Sequence, residues 1–179
     1  RVLSIKLPYE PIDLRITRPF YRNNIYATQN ITDIEGVIRL NLPESAYQND
    51  IAIGVELMDK AGKVLAEMKS TTRESHVGFK LPLPESAEGA YDLTVTVTPA
   101  GSKGYDKGAT IRKLPKVDEE WRIDENLNLL RNGEAIFPYG VMGQPTRNPK
   151  RDVKGEGMTA IFTYHTANRS DAELTAYLD

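Results

Sequence analysis

The sequence predicts a mainly β protein: an antiparallel two-sheet β-sandwich followed by the opening of an α/β unit. Three observations carry this. Apolar and polar residues alternate with a period of two through residues 34–114, which puts one set of side chains on a core and the other in water. Turn signals separate these short runs, and no segment of helical period interrupts them. After Asn132-Gly133 the pattern changes to short, nearly continuous apolar runs, as in strands covered on both faces.

Residues 1–24 are irregular and rich in Pro, Arg and Asn. Within them Ile12, Leu14 and Ile16 define one short strand, and the flanking prolines suit a sheet edge. Ile38, Leu40 and Leu42 make the next apolar face. In "IAIGVEL" Ile51, Ile53, Val55 and Leu57 point one way. The linker "DKAGK" at 59–63, with Gly62 at the position that needs a positive φ, joins this strand to another at 64–69. Val77, Phe79 and Leu81 form a further face, and Tyr91, Leu93, Val95 and Val97 the longest one. A last strand lies near Ala109–Leu114, which makes seven. The expected core includes Leu40, Ile53, Val55, Leu57, Phe79, Leu93 and Val95.

Residues 1–115 are therefore assigned to the sandwich, 116–134 to a linker and hairpin, and 135–179 to the start of an α/β domain. Asn132-Gly133 between apolar stretches predicts a type I′ turn. "AIFPYGVMG" (135–143) and "MTAIFTY" (158–164) read as buried strands. Ser170-Asp171-Ala172-Glu173 reads as a capping box opening a helix with Leu174, Tyr177 and Leu178 on its apolar side.

Composition narrows the function classes. The chain has 179 residues, 23 Lys+Arg against 25 Asp+Glu, and a formal net charge of −2. No basic face for a phosphate backbone is expected, so nucleic acid is excluded as a partner. No apolar run approaches the roughly 20 residues of a membrane span. With no Cys and 2 His, thiol chemistry and a Cys-ligated zinc are excluded, and neither a metal site nor any cofactor is expected. The glycine-containing loops lack phosphate-loop spacing, and no Ser lies in a nucleophile elbow. A chain opening at Arg1 rather than Met is expected to be a piece of a longer product, so a targeting signal would already be missing.

The segment "LNLLRNGEAIFPYGV" after an acidic linker resembles a known junction. It looks like the passage from an immunoglobulin-like accessory domain into the catalytic (β/α)8 barrel of glycoside hydrolases of the β-galactosidase and β-glucuronidase type. Asn132, Gly133, Phe137, Pro138 and Gly140 are the matching positions, and "EGAYDLTVTV" (88–97) is similar to a strand of such domains. The resemblance implies a non-catalytic N-terminal portion of a carbohydrate-active enzyme, with carbohydrate as partner through the full-length parent. It implies a secreted, periplasmic or cell-surface location. The family's two catalytic Glu stand on barrel strands four and seven. Only 179 − 134 = 45 residues follow the hairpin, against about 250 for a barrel, so no catalytic residue is assigned. The incomplete barrel is expected to self-associate through 135–164, or to be cut within 144–157. The alternative is a free-standing β-sandwich binding or adhesion module.

Candidate residues are few. His165 and Tyr164, at the end of the second buried strand, are the substrate-contact candidates, because barrel enzymes gather such groups at strand C-termini; Met142 is a weaker one. Trp121 and Tyr105 are the aromatics to examine for sugar stacking, with Trp121 expected instead to fill the seam between sandwich and barrel. The run Asp118, Glu119, Glu120, Asp124 and Glu125 reads as a solvated linker. Glu156 has no visible partner and His76 reads as a surface residue. Asn30-Ile31-Thr32 and Asn168-Arg169-Ser170 fit the glycosylation pattern.

Overall fold

A computed structural model describes residues 9–83, 88–142 and 160–162. Strands β1 (Ile12–Arg18), β3 (Asp33–Leu40) and β6 (His76–Pro82) form one sheet in the order β1-β3-β6. Strands β2 (Asn24–Ile25), β4 (Ile51–Met58), β5 (Val64–Thr72), β7 (Gly89–Thr98) and β8 (Tyr105–Lys113) form a second in the order β2-β8-β7-β4-β5. The seven expected strands are present, and the two-residue β2 adds an eighth, parallel to β8. β1 is an edge strand, as its prolines require.

The alternation places its apolar halves inward. Ile53 faces Val97, Val55 faces Val95 and Leu57 faces Leu93 across the β4–β7 pair, all within 2% of full burial. They meet Ile34, Ile38, Leu40, Phe79 and Leu81 of the other sheet in one continuous core. Every residue of the expected core is buried; each such aliphatic side chain contributes about 1.5–3 kcal/mol. Leu42 packs on this core from beyond the strand end, where Tyr47 Oη accepts its N–H at 3.3 Å and donates to Leu40 C=O at 2.8 Å.

One inner-face position carries no side chain. Gly36 is the cross-strand partner of Phe79. A Cβ there would lie 2.5 Å from two ring carbons of Phe79 and 2.8 Å from Arg15 C=O. The aromatic ring occupies the space that Gly36 leaves.

Beyond β8, strands β9 (Trp121–Ile123), β10 (Leu129–Arg131) and β11 (Glu134–Ile136) form a small antiparallel sheet. Its β10–β11 turn has Asn132 at φ 51° and Gly133 at φ 87°, the conformation expected of Asn-Gly. The single strand expected over 135–143 is corrected: its first residues belong to β11, and β12 (Gly140–Met142) begins anew. Pro138 lies between, and a residue with no N–H cannot continue a ladder. Nor is this stretch covered on both faces, since Phe137 and Tyr139 are 84% and 58% exposed. β12 pairs in parallel with β13 (Ala160–Phe162), Gly140 opposite Ala160. Of the strand expected at 158–164, Ala160–Phe162 are described and form β13; the rest lies outside the described residues. The (β/α)8 start is not shown: among the described residues there is no α-helix, only a 3-10 turn at Glu44–Gln48. The helix expected after Ser170 lies outside the described residues.

Candidate functional site: the sandwich–hairpin junction

The chain leaves β8 with Leu114 N–H bonded to Ile25 C=O at 2.9 Å, then runs through the exposed segment 115–119. At Glu120 it turns inward. Glu120 is 4% exposed, the one buried charged residue among those described, which corrects its assignment to a solvated run. A buried carboxylate needs donors to replace its lost hydration. Thr28 supplies two: its backbone N–H reaches Oε2 at 3.2 Å and its hydroxyl bonds Oε1. Arg122, also largely buried, holds its Nε 3.6 Å from Oε1. That is beyond hydrogen-bond reach, and Nε has no hydrogen-bond partner, so the attraction is Coulombic.

Asn132 closes the arrangement. Its Oδ1 accepts Glu120 N–H at 2.8 Å, its own N–H bonds Glu120 C=O at 2.8 Å, and its Nδ2 donates to Asp118 C=O at 3.1 Å. A side chain at Gly133 would touch Thr28, with Cβ atoms 3.4 Å apart. The Asn-Gly pair thus does more than turn the chain. The amide stitches the linker to the hairpin, and the glycine takes the positive φ of 87° that the turn needs. Leu130, 6% exposed, is the apolar anchor of this small sheet. A cavity of about 480 Å³ beside the tie is lined by Ala27, Thr28, Lys116, Val117 and Asp118.

Chemically this is a tie. Both Glu120 oxygens are occupied, and its nearest cation is held within the same small sheet. Asp124 organises the β9–β10 turn: its Oδ1 accepts the N–H groups of Asn126 and Asn128 at 2.9 and 2.8 Å. The Asn128 side chain, donating to Oδ2 at 3.0 Å, is the main cause that holds the Asp124 carboxyl below its usual range. Asp118, Glu119 and Glu125 are exposed, as expected.

The structure places the other candidates as follows. Trp121 on β9 is 40% exposed, and the barrel side of the seam it was expected to fill lies outside the described residues; Arg131 lies 5.7 Å from its ring centroid and also pairs with Glu119. Tyr105 is half-buried against the core. His76 is exposed at the start of β6, as expected. Asn30 is exposed. Met142 ends β12. Tyr164, His165, Glu156 and the Asn168 motif lie outside the described residues. Sequence reasoning missed Thr28 and the burial of Glu120. Nothing local marks either, because the two are 92 residues apart. Among the described residues no group of three potential metal ligands occurs, and no helix is long and apolar enough to cross a membrane.

No family model and no curated protein matches this chain. Solved structures similar to it include a glycosyl hydrolase family 2 member from Bacteroides cellulosilyticus, at 11% identity and a TM-score of 0.42, over 73% of this chain and 18% of that one. A β-glucuronidase from Parabacteroides merdae is similar at 11% identity and a TM-score of 0.40, over 76% and 16%. The PmoD soluble domain from Methylocystis sp. is similar at 11% and 0.42, over 60% and 94%. The matched region spans under a fifth of each of these two glycosidase chains. No residue role is carried across from any of them.

Proposed function

We propose that this chain is the non-catalytic, immunoglobulin-like N-terminal portion of a glycoside hydrolase, bracing the start of a (β/α)8 barrel. The observation that supports it best is the path of the chain. A sandwich is locked through Glu120, Thr28 and Asn132 to an Asn-Gly hairpin, which leads within four residues into a strand with a parallel partner. Parallel pairing requires a crossover, and the junction sequence is the one that resembles the entry to such a barrel. The exposed Val117, Leu127, Phe137 and Tyr139 all lie in or beside the hairpin, where a packed neighbour would cover them.

In this reading the parent cleaves glycosidic bonds with two carboxylates supplied outside residues 1–179, and it acts outside the cytoplasm. Tyr164 and His165, two and three residues past β13, would contact substrate at the rim. Residues 135–164, without the remaining barrel, would pair with a second copy. The test compares 1–179 with a product extended by about 250 residues on chromogenic glycosides. The extended product should turn over, and 1–179 should not. Turnover by 1–179 that a substitution within it abolishes would overturn the reading. So would a monomeric 1–179 whose 144–157 loop resists protease, which would favour the free-standing module.

A further inference from the structure

The two sheets of the sandwich end in β1 and β6 and in β2 and β5. A strand edge is a row of unpaired N–H and C=O groups, ready to template another strand unless something blunts it. β1 is flanked by Pro11 and Pro19, β2 is two residues long, and β6 carries Gly78 and ends on Pro82. β5 has none of these devices. It runs nine residues, Val64–Thr72, without Pro or Gly, and among the described residues β4 is its one sheet neighbour. Its register with β4 is unbroken from Thr72 back to Ala66 and slips only at Leu65. Alternate N–H groups of that regular stretch therefore face away from the sheet. Leu65 and Met68 pack on the core from this edge and stay half-buried, so a neighbour here would cover apolar surface as well.

The strand is complementary to itself. Glu67 and Lys69 are exposed on the outer face, joined at 2.8 Å. A two-fold antiparallel pairing sets one residue opposite its own copy. With Met68 at that centre, Glu67 faces Lys69 of the second copy and Lys69 faces its Glu67. Ala66 then faces Ser70, and the two Met68 side chains meet beside the core. Cβ atoms directly across a pair are about 5 Å apart, against about 7 Å between alternate residues of one strand. The ion pairs between copies are therefore the closer ones. Centring the axis on Glu67 or Lys69 sets like charges face to face, which destabilises the pair. Centring it on any other residue shortens the overlap. The charge pattern and the longest overlap select the same register. A lysine on an edge ordinarily repels a second strand; here Glu67 cancels that repulsion.

We propose that β5 is a homodimer interface, on which a second copy of this chain pairs edge to edge and antiparallel about a two-fold axis at Met68. The interface is independent of the glycoside hydrolase reading and separate from the pairing through 135–164. Sedimentation velocity over a range of concentrations, together with amide hydrogen exchange, tests it on 1–179. The samples are the parent, Glu67→Lys, Lys69→Glu, an equimolar mixture of those two, and the double swap in one chain. Both side chains are exposed, so the swaps leave the fold intact. The parent should dimerise, with protection that rises with concentration at amides within 66–70. Each single swap turns two attractive pairs into two repulsive ones and should raise the dimer Kd about tenfold. The mixture and the double swap should both restore it. A parent that stays monomeric at high concentration would overturn the interface, as would single swaps that associate like the parent. A mixture no tighter than its components would also overturn it, since the opposed charges would then not be in contact. Association with protection confined to 135–164 would overturn the β5 interface and leave the pairing of the tail in place.

Discussion

Replacing Thr28 by Val removes one hydroxyl from the junction and leaves its shape and backbone N–H in place. That hydroxyl donates to a carboxylate 4% exposed, and a charge-assisted bond of this kind contributes about 1.5–3 kcal/mol. Thr28 itself is exposed, so water can partly replace it; about 1.5 kcal/mol is the expected loss. Glu120→Gln should cost more, about 2–3 kcal/mol, because Arg122, 12% exposed, then loses its buried anion and keeps the longer-range attraction of Asp124. The double variant should lose less than the sum, with a coupling of about 1 kcal/mol. The three-stranded hairpin has three residues per strand and little core of its own, so losses of this size should undock it before the sandwich melts. Trp121 is the only Trp in the chain and sits in that hairpin, so its fluorescence reports undocking while far-UV circular dichroism follows the sandwich. In the parent protein the two urea transitions should coincide. In Thr28→Val the fluorescence transition should come earlier. Strictly additive single effects, or two signals that shift together, would refute the tie.

Other predictions concern stability. Gly36→Ala should cost about 2–3 kcal/mol in urea unfolding, because its Cβ meets the Phe79 ring on one side and fixed backbone on the other. Phe79→Leu in the same chain should return part of that, and an unchanged midpoint for Gly36→Ala would disprove the contact. Leu127 is 76% exposed at φ 65°, so Leu127→Gly should stabilise by about 0.5–1 kcal/mol; a loss would show that its side chain is needed. Asp33 is held below its usual range by the Thr32 hydroxyl and then Lys80, and Asp124 by Asn128. Depressed carboxyls bind fewer protons when folded, so their contribution is full above the ordinary value of about 3.9 and is lost as pH falls through the lower folded value. The melting temperature should therefore drop below about pH 4. Asp124→Asn should flatten that drop, and an identical pH profile would count against this assignment.

The sequence by itself determined the strands, their faces and the core. Ile51, Ile53, Val55 and Leu57 alternate with Ala52, Gly54 and Glu56, and a period of two has one consequence for which side is dry. It also determined the Asn132-Gly133 turn, because few residue pairs accept two positive φ angles in succession. These are local properties, carried by neighbours in the chain. The tertiary structure decided which strands meet: β4 sits between β5 and β7, and β1 pairs with β3 rather than with β2. It divided the apolar run 135–143 at Pro138, where composition showed only hydrophobicity. It turned Glu120 from one acidic residue among several into a buried tie, because Thr28 arrives from 92 residues away. It set Arg22 over the Tyr21 ring. Burial and electrostatic pairing depend on what the fold brings alongside a side chain, and a pattern read along one strand contains no record of that neighbour.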